Sequence, residues 1–545
     1  MEARRTAANN VVLYQTNILP RKQLLIVFPI LAISQIVCFV DQTGIGVALP
    51  KIGRELNAED TISWAGTSAL IANTIFQVLY GRMSDLFGRK SVLLTALVLL
   101  AMSDLLCGLS RNATMLYIFR GFAGVANGGI VSLSAMIVSD IVTLKERGKW
   151  QGIIGACVGI GNMSGPFVAA AFAQKDNWRG FFWVLSPVAA ACCILCMVVL
   201  PTPKDQPRAD IKTVLRRIDY GGIFFGSAAL ILLLIPIAGG GDYFDWDSPM
   251  VISMLVLGAC CMVFFIFVEH RVAALPMMPL SLFKSGPVSV MLLQNFFFGM
   301  VLYSQAYYLP LFMQNVRRLS PLTTACLMLP IYGLQALSSI TSGQYISHFE
   351  RYGEVIWTGF FLWTLGIGLT CIFSLDTPLW AIAMVLAIQG MGAGCVFQPV
   401  LVALQAHCAK EHRAIVISNR NFIRSLGGAV GLAISAAALQ NSLRKAIPAE
   451  FRSLALSSYD TPPFEKLDQR QILLILKAYE TASRTVFIMN VPFMILCLVG
   501  CLFIKDRGLV KPGEEKGDLQ LRNSPQIRSD DAESRSSDGK KEIVY

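Results

Sequence analysis

Charge is scarce in this chain. Lys, Arg, Asp and Glu make up 15% of its 545 residues, against about 25% in an ordinary soluble domain. Histidine is rarer still, at four residues, and His407 and His412 fall in a polar loop that accounts for them. The fourteen cysteines have no metal spacing and no disulfide framework. The pairs at 192–193 and 260–261, with Cys196, Cys497 and Cys501, lie in apolar stretches and read as small packing residues. No nucleotide loop, metal cluster or nucleophile constellation is legible, so an enzyme reading has no support and no cofactor is implied. The first 22 residues lack the apolar core of a signal peptide and read as a polar tail.

What remains is apolar. Hydrophobic residues make up 54% of the chain, and the mean hydropathy is +0.57. Gly (44), Phe (32) and Met (20) are plentiful, and membrane helices use glycine for close contact. A net charge of +11 can signal nucleic acid, but the basic residues cluster in alternate loops, as the positive-inside rule expects. The expected fold class is an all-α polytopic membrane protein, with lipid and no nucleic acid around it.

A span needs about 20 apolar residues. Fourteen segments qualify: 24–49, 62–83, 91–109, 115–139, 150–172, 180–200, 218–239, 249–268, 286–313, 322–342, 354–374, 379–404, 415–440 and 484–504. The loops "GRMSDLFGRK", "LKERGK", "PTPKDQPRADIKTVLRRID" and "QAHCAKEHR" are rich in Lys and Arg, whereas "SRNAT", "AGGGDYFDWDSP" and "SLDTP" are not. That asymmetry places both termini in the cytoplasm.

The segments group as six, two and six. The expected divisions are a cytoplasmic tail (1–23), a first six-helix bundle (24–200), a linker (201–217), two inserted helices (218–268), a second linker (269–285), a second six-helix bundle (286–504) and a disordered cytoplasmic tail (505–545). Two such bundles suit alternating access around a midplane site. The external loop 441–482 holds the apolar run "QILLILKAYE", too short to span and expected as a surface helix. Asn112 in "NAT" is a glycosylation acceptor.

Charges inside such segments are expensive and usually functional. Asp41 lies roughly 26 Å along the first segment at 1.5 Å per residue. Ser34 and Cys38 share its helical face, and that face is expected to line the central cavity. Arg120 lies about one and a half turns into the fourth segment; it either snorkels to the interface or faces the interior. Asp104 in the third segment is either a wet helix end or a proton or substrate group, and it would favour a cationic substrate. Polar side chains stand among aromatics at Asn73, Gln77, Gln294, Asn295, Tyr303, Gln305, Tyr307, Gln389 and Gln398. They either line a cavity for bulky organic ligands or bond helix to helix.

"GRMSDLFGRK" (81–90) places Asp85 between Arg82 and the Arg89–Lys90 pair, with Gly81 and Gly88 permitting tight turns. It resembles the signature loop of the major facilitator superfamily. "LYIFRGFAGVANGG" (116–129) resembles that superfamily's arginine motif, and "GIGNMSGPFVAA" (159–170) the Gly–Pro motif of its antiporter branches. "VDQTGIGVALPKI", "SDIVTLKERGK" and "NFIRSLGGAVG" are similar to the first helix, the helix 4–5 junction and the penultimate helix of the fourteen-span drug:H⁺ antiporter group. The resemblance runs from about residue 25 to 504 and is closest to fungal members, which export drugs and toxins or load vacuoles with basic amino acids.

That resemblance implies the major facilitator fold with two extra helices between its bundles. Asp85, Arg89 and Asp140 would gate the cytoplasmic side, with Gly81, Gly88, Lys90 and Arg147 in the same machinery. Arg120 would serve proton coupling, with Asp41 the acid of the exchange. Gly161, Gly165 and Pro166 would shape the fifth helix against the second bundle. Three motifs depart from the pattern: Ala123 replaces a glutamine, Ala169–Ala170 replaces a Gly–Gly pair, and "GQYISHFERYG" has Ser347 where an acid would complete a second signature loop. The implied function is secondary antiport by a monomer, protons in and small organic compounds out, at the plasma membrane. The alternatives are a vacuolar basic amino acid/H⁺ antiporter and a non-transporting sensor or receptor.

Overall fold

The computed structural model describes residues 19–58, 61–62, 64–175, 177–201, 219–239, 246–272, 276–278, 283–408, 413–447, 468–504, 506 and 508. The expected polar tails therefore lie almost wholly outside the described residues, as do nearly all of the first linker, the middle of loop 441–482 and His412.

The described chain is helical from end to end. Six helices come first: α1 (Arg21–Glu55), α2 (Trp64–Phe87), α3 (Arg89–Gly108), α4 (Ala113–Ile141), α5 (Leu144–Gln174) and α6 (Trp178–Val199). A pair follows, α7 (Tyr220–Gly239) and α8 (Pro249–Arg271). Then come α9 (Gly286–Asn315), α10 (Pro321–Phe349), α11 (Gly353–Thr370), α12 (Leu379–Phe397), the short α13 (Pro399–Ala406), α14 (Arg413–Ala446) and α15 (Gln469–Gly500). Every expected segment coincides with a helix. Twelve spans among the described residues, α12 and α13 counting together as one, are long and apolar enough to cross a membrane. The other two helices are α2 and α11. The polar residues of α2 face inward: Asn73, Thr74, Gln77, Ser84 and Asp85 are all buried.

Helix starts follow the sequence chemistry. The side chains of Asn112, Asn177, Ser248 and Ser320 each accept from a backbone N–H of the first turn, satisfying donors that the helix leaves orphaned. Gly88 has φ 87°, a left-handed conformation that costs a residue with a Cβ. It lets α3 start immediately after α2.

One hydrophobic cluster is built mainly from α1–α6, and two more from α9–α15. A fourth joins Ile71, Ile75, Val78 and Leu79 of α2 to Leu230 and Leu234 of α7 and to Phe422 and Ala429 of α14. α7 thus packs over the seam where the two bundles meet, with α8 packed against it. The outer surface of α8 is apolar and exposed at Val256, Leu257, Val263 and Phe264, as a lipid-facing surface is.

The surface-helix reading of loop 441–482 is corrected. Residues from 469 onward are the first turns of α15, opened by a capping box between Asp468 and Gln471. Ile475, Ala478, Tyr479 and Ala482 are buried against Tyr308, Phe312, Leu439 and Leu443. Charged flanks made the segment too short to span alone, but fused to the last apolar run it extends that helix.

Candidate functional site

The first polar centre is closed inside the first bundle. Asp41 is wholly buried and Arg120 nearly so. Arg120 Nη1 meets Asp41 Oδ1 at 2.5 Å, and Asn127 Nδ2 donates to Asp41 Oδ2 at 2.7 Å. Arg120 also stands 5.9 Å from the Phe182 ring centroid. Snorkelling is thereby overturned: the guanidinium points inward, to an acid. The cavity-lining expectation for the Asp41 face is corrected as well. Ser34, Cys38 and Asp41 turn into the bundle interior, where Cys38 packs in the core and its thiol lies 3.7 Å from the Asn127 carbonyl. Packing α1 against α4 pairs the charges and satisfies both faces at once.

Asp104 is also wholly buried, which excludes a wet helix end. No donor among the described residues satisfies either of its carboxylate oxygens; its carboxyl lies beside that of Asp41 and within electrostatic reach of Arg120. Two acids therefore face one base. Arg120 is paired with Asp41, and among the described residues Asp104 has no cation of its own at ion-pair distance.

The signature loop forms a second polar centre at one end of the bundle. Arg89 Nη1 lies 2.7 Å from Asp85 Oδ1 and Arg89 Nε 3.1 Å from Asp140 Oδ2. That network ties the end of α2 and the start of α3 to the end of α4. Lys90 Nζ donates to the Leu200 carbonyl at 2.6 Å, fastening α6 to the same end. Arg147 Nη2 donates to the Ser139 carbonyl at 2.6 Å. Gly81 sits directly against Ser418 of α14, and a Cβ there would clash with that side chain.

The bundles are bonded to each other in the half nearer this loop. Lys145 Nζ pairs with Glu350 at 2.8 Å, Ser347 donates to the Lys145 carbonyl at 2.8 Å, and Ser339 donates to the Gly152 carbonyl at 2.9 Å. Gln405 Nε2 donates to Ser139 Oγ at 3.0 Å, and Ser425 to Gln77 Oε1 at 3.1 Å. Ser347, the departure from a complete second loop, thus serves as a link between bundles.

The fifth-helix expectation is corrected in its partner. A Cβ on Gly161 would lie 2.6 Å from Phe39 Cβ, and one on Gly165 3.0 Å from the Val40 carbonyl; both glycines, with Pro166 beside them, belong to the α1–α5 contact inside the first bundle. The approach to the second bundle uses Gly148 and Gly152, which face Gly343 of α10.

The remaining polar candidates divide. Gln294 donates to the Cys497 carbonyl at 2.7 Å and Gln389 to the Gly366 carbonyl at 3.2 Å, both joining helix to helix. Asn73 and Gln77 are buried against Gly128 of α4. Gln305 and Gln398 are buried, with amide atoms lacking partners. Tyr303 packs on Gly428, and Tyr307 is exposed.

Asn295 leads to residues that carried no role in the sequence reading. Its Oδ1 accepts from Arg420 Nε at 3.2 Å. Arg420 and Arg424 of α14 are both buried, and their guanidinium carbons lie 5.1 Å and 4.6 Å from the Phe397 ring centroid. The available signal was two arginines four residues apart, about one helical turn, within the expected span 415–440.

Known proteins resemble this architecture over most of its length. The model of the Major Facilitator Superfamily matches residues 31–432. "Citrate exporter 1" of Yarrowia lipolytica is 46% identical over 501 residues, which cover 91% of this chain and 74% of that protein. "Multidrug resistance protein fnx1" of Schizosaccharomyces pombe is 30% identical over 477 residues, covering 85% of this chain and 88% of that one. Among solved structures, the human organic anion transporter MFSD10 (TETRAN) superposes with a TM-score of 0.58 at 16% identity, over 89% of this chain and all of that one; at that identity the likeness concerns the fold. On the matched family and its relatives, the chain belongs to the Major Facilitator Superfamily of membrane transporters.

Proposed function

We propose that this transporter exports small organic compounds from the cytosol by alternating access, in exchange for protons bound at the Asp41–Arg120–Asp104 centre. The observation that carries the reading is the charge count inside the first bundle: two buried acids around one buried base. A proton leaving or joining that centre changes the net charge of a water-poor interior, which is expensive unless the surrounding helices rearrange. The exporter direction is supported by relatives whose names describe export of citrate and multidrug resistance.

In this reading the signature loop faces the cytoplasm, and the contacts between bundles close that side. Asp85, Arg89 and Asp140 hold the gate shut, and Lys145–Glu350 adds a link that rocking breaks. One pH unit supplies about 1.4 kcal/mol per proton, and 100 mV about 2.3 kcal/mol per charge, so a few protons drive substantial accumulation. The protein works as a monomer at the plasma membrane. Basic amino acids as substrate are disfavoured by the buried arginines of α14, which repel a second cation.

The test is uptake into sealed inside-out vesicles with an acidic lumen, using citrate, lysine, arginine, a cationic dye and a neutral toxin. The reading expects accumulation of at least one organic compound that collapses when a protonophore dissipates the gradient. Movement of none of them, or movement indifferent to the gradient, overturns it.

A further inference from the structure

We infer that Arg420 and Arg424 form an anion-binding site for a substrate carrying two or more carboxylates; this rests on the exporter reading and names its substrate class. Arg420 donates from Nε to Asn295 Oδ1 at 3.2 Å, from Nη1 to Asn421 Oδ1 at 3.2 Å, and from Nη2 to the Phe397 carbonyl. All three acceptors are neutral. Arg424 Nη1 is buried without a hydrogen-bond partner. Among the described residues no carboxylate lies within ion-pair distance of either guanidinium, whereas Arg82 and Arg120 each have one and Arg89 has two.

Two uncompensated positive charges on one helix face, four residues apart, destabilise a protein unless something negative joins them. A guanidinium presents a planar fork that matches a carboxylate through two parallel bonds. Both guanidinium carbons lie close to the same Phe397 ring, 5.1 Å and 4.6 Å from its centroid, so they are within about 10 Å of each other. That proximity lets one small molecule carrying two carboxylates meet both forks, which a single monovalent anion cannot do as fully.

The site lies where alternating access would expose it. Arg420 and Arg424 stand about 10 and 16 Å along α14 from its start at the signature-loop end. Next to Arg420, Asn421 Nδ2 reaches Ser132 of α4 at 3.4 Å. One turn on, Ser425 bonds Gln77 of α2. Both links cross between the bundles, so parting the bundles at that end uncovers the arginines to cytosolic solute. The same α4 carries Asn127, five residues from Ser132, on Asp41. The anion site and the proton centre therefore share one rigid element, with the anion site nearer the cytoplasm.

The test uses the full-length protein in nanodiscs and measures binding, separately from transport. Isothermal titration with citrate, a C4 dicarboxylate, acetate and lysine is expected to rank citrate and the dicarboxylate well above acetate, with no binding of lysine. Arg424→Gln and Arg420→Gln each weaken citrate binding about tenfold or more, and Arg424→Lys, which keeps the charge and loses the fork, falls between. Should the glutamine variants fail to fold, the wild type decides: citrate must slow modification of Arg420 and Arg424 by phenylglyoxal, read by mass spectrometry. Binding of lysine in preference to citrate, or citrate affinity unchanged in folded glutamine variants, or modification indifferent to citrate, overturns the inference. Transport of other compounds by a protein that does not bind carboxylates would sink this site alone; citrate binding without any transport would sink the exporter reading alone.

Discussion

Asp41 and Arg120 are a buried pair whose value lies in being complete. Removing one partner strands the other, at a cost of about 3–5 kcal/mol. Arg120 carries the larger liability, because its loss leaves Asp41 and Asp104 facing each other in a dry interior. Arg120→Gln is therefore expected to lower the thermal unfolding midpoint of the purified protein sharply, and Asp41→Asn added to it to recover much of the loss. An Arg120→Gln protein as stable as the wild type would show that the pair carries no such weight. Each charge was legible in the sequence, since neither belongs in an apolar run. That they meet was not, because 79 residues separate them and only bundle packing brings α1 beside α4. Arg420 and Arg424 were harder still: their four-residue spacing was visible, but no acid among the described residues pairs with either, so nothing in the sequence set their role.

Helix identity and order were almost fully legible, because apolar length and capping residues are local properties. Helix partners were not. α5 carries glycines on two faces, Gly148 and Gly152 on one and Gly161 and Gly165 on the other, and only the packed bundles assign the first face to α10 and the second to α1. The start of α15 had a readable signal in Asp468 and Gln471, but charged residues around it masked the continuity of the helix. The α5–α10 contact makes a testable claim. A Cβ on Gly152 would lie 2.5 Å from the Ser339 carbonyl and 3.0 Å from Gly343 Cα, so Gly152→Val cannot keep the bundles together at the signature-loop end. Cys408, buried at that end, is expected to react several-fold faster with a maleimide in this variant, as read by site-resolved mass spectrometry. Unchanged reactivity would mean that the α5–α10 seam does not close that side.

At the scale of the whole molecule, two centres of opposite character are held in two bundles, an acidic one around Asp41 and a basic one around Arg420. An anion leaving a cell that is negative inside moves down the electrical gradient, by about 2.3 kcal/mol per charge per 100 mV. In the proposed exchange, proton entry would add to that drive and reset the acidic centre. Export of a tricarboxylate is therefore expected to grow steeper with both the potential and the pH gradient, measured by clamping each in turn in vesicles. The most direct test compares wild type with Asp41→Asn for citrate uptake into inside-out vesicles at zero potential with an acidic lumen. The prediction is accumulation above equilibrium by the wild type, and none by the folded asparagine variant. Accumulation by Asp41→Asn equal to wild type would contradict the claim that the buried aspartate of α1 exchanges the proton.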